Sequence, residues 1–392
     1  MRKVAVIGAG VHPWGKFTGK TVVDLASTAC RNALQSAGVD WKDIQAVVAG
    51  VYKYGAESGF ILGQSLASRM GETGIPITNV YNMCATGTSC FRTAYLNVAS
   101  GECDIALAVA ADISPPGFLP TSGGDPSDPA CVRFSMVGSP NPAYWALDCR
   151  IRMHQYGTTE THLAKAKVSC STHGSMNPYA RYKRKFTLEE VMNSPIVADP
   201  LRLFEICATS DGSAAVILCS LDAAKRFTSK PVMIAGVGLG SSLYGDNTCR
   251  LGYLSFPAEA EAPRLSESAQ SSKMAYEQAG MGPEDMDFVE LPDNSSWHYL
   301  TYLEVLGFCP PGDADRMLDD GMTAIGGKLP VCPSGGVASF GEATTSQGLL
   351  QICELFWQLR GEAGERQVKG AKSAISQTYG LMGNSACTIL KV

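Results

Sequence analysis

The chain repeats part of its own sequence, and this repeat limits the folds that it can adopt. Residues 33–50 (ALQSAGVDWKDIQAVVAG) match residues 275–292 (AYEQAGMGPEDMDFVELP), with identical amino acids at five positions. Similar apolar stretches, KVAVIGAG from Lys3 and PVMIAGVGLG from Pro231, precede the two copies. Each copy has the pattern of a strand, a helix that ends at a glycine, and a second strand. We therefore predict two copies of one α/β unit, with mainly parallel sheets covered by helices on both faces.

The repeat divides the chain into two halves that are separated by an insertion. Residues 1–112 are predicted to form the first half, which a turn and strand within residues 205–225 complete, and residues 231–392 the second half. Residues 113–204 are predicted to be an inserted loop domain, because residues 113–142 hold seven of the 21 prolines. The helical patterns within this insertion lie at residues 143–156, at residues 158–169 and after a capping box that begins at Thr187.

Composition is that of an ordinary globular protein. With 45% hydrophobic and 18% charged residues and a formal net charge of −5, the 392-residue chain lacks the basic balance of a nucleic-acid-binding protein. No apolar run reaches the length of a membrane-spanning helix, and the first residues have the pattern of a strand rather than of a signal peptide. The 14 cysteines include no C-x-x-C pair, which argues against a zinc ribbon and against a secreted disulfide framework. We expect a cytoplasmic protein that binds neither nucleic acid nor membranes.

One cysteine stands in a turn between a strand and a helix. The stretch from Asn82 to Cys90 (NMCATGTSC) follows a predicted strand at residues 74–81 and precedes a predicted helix at residues 90–100. Such a turn lifts a side chain clear of the sheet, and the helix dipole favours a thiolate there. A small buried hydrophobic residue is the alternative interpretation of a cysteine. The glycine and small residues that follow favour Cys84 as a nucleophile.

The first strand ends in a Gly-x-Gly motif. Gly8 and Gly10 are spaced as in a dinucleotide-binding turn. Pro13, however, stands where the helix of such a turn would begin, and the third glycine is missing. We therefore disfavour a dinucleotide site.

A basic cluster lies within the predicted insertion, at residues 181–185 (RYKRK). Arg181, Lys183 and Arg184 are candidates for binding the phosphates of a nucleotide-bearing substrate. A solvated charged surface is the alternative interpretation of the same run.

Taken together, these motifs resemble the thiolase superfamily over the whole chain. The resemblance is carried by the duplicated unit, by N-x-C-x-x-G at residues 82–87, by SDGSAAV at residues 210–216 and by Pro-Ser-Gly-Gly at residues 333–336. It is strongest for the branch of the sterol-carrier-protein thiolases and of the bacterial and archaeal thiolases that work with a small zinc-ribbon/OB-fold partner. The resemblance implies a fold of two duplicated βαβαβαββ halves, which form a five-layered αβαβα core with an inserted loop domain.

The resemblance also assigns roles to individual residues. The family's acylated cysteine falls on Cys84, and its Gly-His-Pro motif falls on residues 341–343, where Glu342 replaces the histidine. All five histidines lie at or before His298, so no later histidine can take over. We consider Asp293 and Asn294, which stand where the family has a His-Asp-Cys-Phe or Asn-Glu-Ala-Phe motif, as further acid/base candidates, and His298 as a weaker one because it lies a helical turn further on. The backbone N–H groups of Cys84 and Gly380 are expected to form an oxyanion hole, and Gly335 and Gly336 are expected to bind substrate.

The role of Glu342 follows from the chemistry of carboxyl groups. An ionised carboxylate would repel a thiolate and an enolate, whereas a neutral carboxyl can donate a hydrogen bond to a developing oxyanion. Burial in an apolar site raises the pKa of a carboxyl group. We therefore expect Glu342 to act as the general acid/base that takes the proton of Cys84 and returns it to the carbanion. A surface acid in an ion pair is the alternative.

Two classes of activity remain open, together with an inactive scaffold. The first is a coenzyme A acyltransferase that cleaves a β-keto acyl-CoA through a Cys84 thioester. Its expected substrate is aryl-bearing or branched, such as 2-benzoylsuccinyl-CoA, which would give benzoyl-CoA and succinyl-CoA. The second is a retro-aldolase that cleaves a hydroxyacyl-CoA without a covalent cysteine and would depend on Tyr379 and Tyr244. The intact Cys84 turn favours the first class.

The resemblance implies the partners as well. Coenzyme A is expected as a co-substrate, and no permanently bound cofactor or metal is expected in this chain. A homodimer is expected to form through the strand beside the Cys84 turn, together with a small zinc-ribbon/OB-fold subunit that would carry its own zinc.

Overall fold

The structure is a computed structural model that describes residues 1–52, 61–114, 141–243, 265–380 and 383–392. Most of the proline-rich stretch and Tyr244 lie outside these ranges. The strands in the described residues are β1 (Val4–Gly15), β2 (Ala46–Val51), β3 (Ile77–Asn79), β4 (Ile105–Ile113), β5 (Ile196–Ala198), β6 (Leu201–Arg202), β7 (Asp211–Ser220), β8 (Val232–Ser241), β9 (Phe288–Glu290), β10 (Ser373–Gly380) and β11 (Asn384–Lys391).

Helices connect most of these strands. The helices in the described residues are α1 (Val22–Ala37), α2 (Leu62–Met70), α3 (Thr86–Ser100), α4 (Asn141–Tyr156), α5 (Glu160–Gly174), α6 (Leu188–Met192), α7 (Leu221–Ala224), α8 (Ser266–Ala279), α9 (Ser296–Val305), α10 (Ala314–Asp319), α11 (Gly336–Phe340) and α12 (Gln347–Arg360). The sequence signals place several ends correctly, since Thr21 caps α1 in a capping box, Gly38 closes it in the left-handed conformation, and Thr187 caps α6.

Nine strands form one sheet in the order β3-β2-β4-β7-β1-β8-β11-β10-β9. The order is symmetric about the contact of β1 with β8, because β1 is followed outward by β7, β4 and β2 in the way that β8 is followed by β11, β10 and β9. The outermost position is also duplicated, since Val331 makes a parallel bridge to Val289 where β3 pairs with β2. Only two residue pairs join β1 to β8. The predicted duplicated halves are therefore confirmed. The expectation of a mainly parallel sheet is wrong, because five of the eight strand pairs, all of which involve β7, β1, β8 or β11, are antiparallel, and only β3–β2, β2–β4 and β9–β10 are parallel.

Helices cover both faces of the sheet in three layers. In the middle layer, α3 and α12 pack against strands of both halves, with Phe91 and Phe356 fully buried among them. One outer layer consists of α1 and α2 on β1, β2 and β4, and the other consists of α8 and α9 on the strands of the second half. Three helical layers and two halves of sheet give the predicted five-layered αβαβα core.

Glycines in β1 and β8 explain the Gly-x-Gly motif. A Cβ on Gly8 or Gly10 would clash with the backbone of α1 at Ala33, and a Cβ on Gly236 or Gly238 would clash with the backbone of α8. The helices can therefore lie directly on these strands only because the strands carry glycine at alternate positions. Close packing of helix on strand accounts for the motif.

Two further findings concern the molecule as a whole. No helix in the described part of the chain combines the length and the apolar character needed to cross a bilayer. The cysteines within the described ranges are free thiols, and nearly all of them are buried.

Candidate active site

Cys84 lies in a tight turn directly before α3. Met83 has a φ of 49°, a left-handed value that residues other than glycine rarely adopt. The N–H of Ala85 donates to the carbonyl oxygen of Asn82 at 3.1 Å. The N–H and the hydroxyl of Thr86 both donate to the carbonyl oxygen of Met83, at 3.1 and 2.6 Å. These bonds fix Cys84 beside the positive end of α3, with 7% of the residue exposed.

Two glycines allow this turn to approach the second half of the protein. A Cβ on Gly87, in the first turn of α3, would lie 2.8 Å from the carbonyl oxygen of Thr345. A Cβ on Gly348 would lie 2.9 Å from a backbone nitrogen of α3. The N-terminal ends of α3 and α12 can therefore cross only because both residues are glycine. This crossing brings Cys84 next to the segment that carries Glu342.

The side chain of Glu342 lies between two thiols. The Cys84 thiol donates to Oε1 at 3.4 Å, and the Cys207 thiol donates to Oε2 at 3.4 Å. Glu342 is 8% exposed, and burial raises the pKa of its carboxyl group above the ordinary value. Hydrogen bonds from the two thiols and from Asn294 oppose that increase in part. A carboxyl group with a raised pKa is a stronger base toward a neighbouring thiol than an exposed glutamate is.

Backbone hydrogen bonds determine where this carboxyl group points. Gly341 has a φ of 75°, which glycine adopts without strain. The N–H of Glu342 donates to the carbonyl oxygen of Ala208 at 2.6 Å, and the N–H of Ser210 donates to the carbonyl oxygen of Glu342 at 2.9 Å. The hydroxyl of Ser114 donates to the same carbonyl oxygen at 3.2 Å. The Glu342 segment is thus attached to the chain that leads into β7.

Cys207 is a site residue that the sequence analysis did not identify. Burial, and then the neighbouring Glu342, raises the pKa of this thiol well above its ordinary value, so it keeps its proton. The side-chain amide of Asn294 approaches the Cys207 sulfur at 4.0 Å. One signal in the sequence is that Cys207 stands just before the turn into β7, but nothing there separates it from the other 13 cysteines.

Asp293 and Asn294 have different surroundings. The backbone N–H groups of Val337 and Ala338 donate to the Asp293 carboxylate at 2.6 and 3.2 Å, so this residue holds the start of α11. We therefore assign Asp293 a structural role instead of the catalytic one expected from the sequence. Asn294 lies beside both Glu342 and Cys207, and its Oδ1 is buried without a hydrogen-bond partner among the described residues.

His298 and Tyr379 belong to an aromatic cluster on the outer face of the second half. The His298 ring packs edge-on against Trp145 and Trp297 and lies 5.7 Å from the Tyr379 ring. The hydroxyl of Ser295 lies 2.8 Å from its Nδ1. Burial lowers the pKa of His298 to about 3, so the ring is neutral. The structure gives His298 a packing role.

The basic cluster lies beside the site, but two of its arginines already have partners within the protein. Arg181 donates to the carbonyl oxygen of Thr209 and lies over the ring of Tyr182. Arg184 forms an ion pair with Glu190. Lys183 is exposed. The cluster thus presents positive charge at the surface while Arg181 braces the segment that holds Glu342.

The glycines expected to bind substrate have packing roles. Gly335 has a φ of 99°, and a Cβ there would clash with the backbone of Gly174. Gly336 has a φ of 61°, and a Cβ there would clash with the Asp293 carboxylate. Gly380, expected in the oxyanion hole, ends β10 and pairs with Asn384.

Asp112, at the end of β4, is a second buried acid near Glu342. Its carboxylate accepts the N–H of Tyr52 at 2.8 Å and both the N–H and the hydroxyl of Thr345, at 2.5 and 2.8 Å. Burial raises the pKa of Asp112 to about 6 against the effect of these hydrogen bonds, and the nearby charge of Glu342 adds to the increase. Asp112 fastens the loop that follows Glu342 to the first half.

Three potential metal donors meet behind the site, although their sequence spacing gives no sign of it. The sulfurs of Cys170 and Cys332 and a carboxylate oxygen of Asp293 lie within 4.8 Å of one another. The Asp293 carboxylate is already held by two backbone N–H groups, and the neighbouring Lys167 would repel a cation. We therefore interpret the cluster as thiols packed around a helix cap.

An apolar cavity of about 400 Å³ adjoins the Cys207 side of the site. Its walls come from the basic cluster, from α5, from the start of α11 and from the segment that leads into β7. The residues that line it are Lys167, Tyr182, Phe186, Leu203, Phe204, Ile206, Cys207, Ala208, Thr209 and Ala338.

Comparisons with known proteins match both halves. A family model described as "Thiolase, N-terminal domain" matches residues 4–112, and one described as "Thiolase C-terminal domain-like" matches residues 257–391. An acetyl-CoA acetyltransferase of Methanothermobacter thermautotrophicus is 34% identical over 98% of each chain. The benzoylsuccinyl-CoA thiolase subunit BbsB of Thauera aromatica is 30% identical over 94% of this chain and 92% of its own.

A solved structure also matches the whole chain. The structure titled "Ltp2-ChsH2(DUF35) aldolase" matches with a TM-score of 0.83 and 26% identity over 100% of this chain and 98% of the other. The matches therefore extend over both halves and over the fold that holds the Cys84 turn. The chain belongs to the thiolase family of acyl-CoA acyltransferases.

Proposed function

We propose that this enzyme cleaves a β-keto acyl-CoA with coenzyme A as co-substrate and forms a thioester on Cys84. The observation that carries the proposal is the hydrogen bond of the Cys84 thiol to the buried Glu342 carboxyl group, at 3.4 Å. It pairs a nucleophile with a base in the arrangement that covalent catalysis requires.

The first half-reaction breaks a carbon–carbon bond. Glu342 takes the proton of Cys84, and the thiolate attacks the keto carbon. The bond between that carbon and the α-carbon breaks, so an acyl group stays on the sulfur and the enolate of an acyl-CoA departs. The protonated Glu342 gives its proton to the α-carbon of this enolate. Backbone N–H groups at Cys84 and in the Gly380 region stabilise the oxyanion.

The second half-reaction regenerates the enzyme. Glu342 takes the proton of the incoming CoA thiol, whose sulfur attacks the thioester carbonyl. The new acyl-CoA leaves, and the Cys84 thiolate recovers the proton from Glu342. Cys207 keeps its own proton throughout and donates to Oε2, which keeps Oε1 directed at Cys84.

The substrate that we propose is aryl-bearing or branched, such as 2-benzoylsuccinyl-CoA. Support comes from the apolar cavity beside Cys207, where the rings of Phe186 and Phe204 lie 4.7 Å apart, and from the similarity to the Thauera aromatica subunit. The exposed charge of Lys183 and the neighbouring arginines would meet the phosphates of CoA at the surface.

We also propose an assembly. Strand β3 is the outermost strand of the described sheet, so a second copy of the chain can pair with its free edge to form a homodimer. A small zinc-ribbon/OB-fold subunit is proposed because one relative is named a subunit and one similar structure is titled with two components. Free buried thiols fit a cytoplasmic location. Copurification from the native source tests the assembly.

Trapping the acyl-enzyme tests the function. The full chain is incubated with acetyl-CoA or benzoyl-CoA, and the intact mass and the modified peptide are measured. We expect an acyl group on Cys84, none in the Cys84→Ala variant, and an unchanged adduct in the control variant Cys309→Ser, which alters a partly exposed cysteine. Wild-type enzyme that cleaves its substrate without an adduct on Cys84 would exclude acyl transfer.

A retro-aldolase is the second candidate, because the structure titled as an aldolase matches with a TM-score of 0.83. Such an enzyme cleaves a hydroxyacyl-CoA without a second CoA. Of the tyrosines expected for it, Tyr379 packs against His298 and Tyr302, and Tyr244 lies outside the described residues. Cleavage that is independent of free CoA would favour this candidate.

A further inference from the structure

The apolar cavity is lined by one buried lysine. Lys167, on α5, is 6% exposed and is the only charged residue among those that line the cavity in the described part of the chain. Its ammonium group donates to the carbonyl oxygen of Ala338 at 2.6 Å and lies 5.2 Å from the centre of the Phe186 ring. Keeping such a charge in an apolar environment is costly unless a partner compensates for it.

No carboxylate of the described residues forms an ion pair with Lys167. The carboxylate that acts on its charge is that of Asp293, whose two oxygens are already held by the N–H groups of Val337 and Ala338. Burial consequently lowers the pKa of Lys167, and an anion that entered the cavity would reverse that effect. The Lys167 ammonium has three donors, and one of them is used by Ala338.

The position of the cavity indicates which part of a substrate would bring the anion. Cys207 lines the cavity and contacts Glu342, which contacts Cys84, so the cavity opens next to the reacting groups. For this cavity to serve the reaction, the acyl chain of a CoA thioester bound beside Cys84 would extend past Cys207 into it. The walls are otherwise aromatic and aliphatic, which suits an apolar body with a single charged end but not a multiply charged phosphate. Arg184 and Lys183, in contrast, stand at the surface.

We propose that Lys167 binds a carboxylate carried by the acyl group of the substrate, so that the enzyme selects CoA thioesters whose acyl chain has a second carboxyl group. This proposal rests on the proposed function for the orientation of the thioester. Lys167 then determines specificity, and the apolar walls accept the rest of the acyl group.

Equilibrium binding to an enzyme that cannot form a thioester tests the proposal. In the Cys84→Ala background, succinyl-CoA and 4-methylpentanoyl-CoA are titrated by calorimetry. The two acyl groups are similar in shape, but only the first has a carboxylate. We expect the additional change Lys167→Met to weaken succinyl-CoA about 10- to 100-fold, the usual contribution of a hydrogen bond to a charged group, and to leave 4-methylpentanoyl-CoA unchanged. Lys167→Arg should retain most of the preference.

Two outcomes would overturn the proposal. Equal weakening of both thioesters would mean that Lys167 contacts the pantetheine arm of CoA or only supports the fold. No change for either would mean that it contacts no part of the ligand. Lys167→Met removes a buried charge and keeps an unbranched side chain that is only one atom shorter, so the variant is expected to fold, and Lys167→Gln provides a second neutral variant.

The binding experiment is independent of turnover. If wild-type enzyme forms no adduct on Cys84, the proposed acyl transfer fails, yet the preference for succinyl-CoA and its loss in the Lys167 variants can still be measured. If the adduct forms and that preference is absent, only the role of Lys167 fails.

Discussion

The thiol of Cys84 and the carboxyl group of Glu342 are separated by 258 residues in the chain and by 3.4 Å in space. The first belongs to a turn of the first half and the second to a turn of the second half. The glycines at the crossing of α3 and α12 permit this approach. The pair therefore joins the two halves, since Cys84 lies directly before α3 of the first half and Glu342 lies between α11 and α12 of the second.

Replacing Glu342 by glutamine tests its role as the base. We expect turnover to fall about 100-fold or more, because glutamine cannot take the proton of Cys84. In the wild type, kcat/KM should fall as the pH decreases through the raised pKa of Glu342, above the range in which an exposed glutamate titrates. This acidic limb should disappear in Glu342→Gln. The matched control is Glu189→Gln, an exposed acid of α6. Full activity of Glu342→Gln with Cys84 still acylated would contradict the assignment.

Cys207 should act through Glu342. Its thiol donates to Oε2 and so favours the ionised carboxyl, and its removal should raise the pKa of Glu342 further. We therefore expect the acidic limb of kcat/KM to move to higher pH in Cys207→Ala, with about a tenfold loss of activity at slightly acidic pH. Cys207→Ser keeps a donor and should stay close to the wild type. A lower kcat at every pH with an unmoved limb would indicate a purely structural effect.

His298 makes stability depend on pH. The unfolded chain takes up a proton at this residue near pH 6.5, whereas the folded ring stays neutral until about pH 3. Acid therefore favours the unfolded state, and the free energy of unfolding should fall as the pH drops from about 6.5 toward 3, by at most about 1.4 kcal/mol per pH unit from this residue. Denaturant unfolding at several pH values measures the slope.

A variant isolates the contribution of His298 from those of buried carboxyl groups. Burial raises the pKa of Asp112 to about 6 and that of Glu205 to about 7, and these groups change stability in the opposite direction. His298→Asn removes only the histidine contribution, so its free energy of unfolding should decrease less with acid than that of the wild type. If the free energy of unfolding of the two proteins depended on pH in the same way, the pKa of His298 would not differ between the folded and unfolded states.

The buried ion pair of Glu354 with Arg366 should matter for stability and not for catalysis. The guanidinium donates to both carboxylate oxygens at 2.9 to 3.1 Å, and the side chains of Glu354 and Arg366 are 1% and 5% exposed. Arg366→Met leaves a carboxylate buried without its partner and should cost about 3–5 kcal/mol of unfolding free energy.

Two controls accompany this measurement. The double variant Glu354→Met/Arg366→Met should recover much of the loss, because no unpaired charge then remains. Lys225→Met, in an exposed ion pair, should leave stability unchanged. A double variant as unstable as Arg366→Met alone would show that packing, and not charge, accounts for the effect.

Much of the fold follows from the sequence because its signals are local. The repeat, the glycines at alternate strand positions and the capping residues each act within a few residues of where they stand. The ends of helices and strands differ from the predicted ends where tertiary contacts determine them. Helix α3 begins at Thr86 and not near Cys90, since the crossing with α12 holds its first turn, and β3 covers only Ile77–Asn79 of the longer stretch predicted as a strand.

The site could be predicted only in part from the sequence, because its contacts join segments that are far apart in the chain. Cys84 is indicated by its own turn, and Glu342 by its place in a motif that has lost a histidine. Cys207 and Lys167 gain their significance only from the residues that the fold places around them. Asp293 was expected to be catalytic from its position after β9, yet the N–H groups that occupy it come from α11, 44 and 45 residues away.

The pairing of Glu342 with Ala208 and Ser210 ties reactivity to substrate choice. The same short segment forms one wall of the cavity and holds the backbone of Glu342 in position beside Cys84. A substitution that reshapes this wall for a new ligand also displaces the proton acceptor. Divergence of such an enzyme toward other thioesters should therefore proceed by changes along α5, which also lines the cavity and carries neither Glu342 nor the two thiols that it contacts.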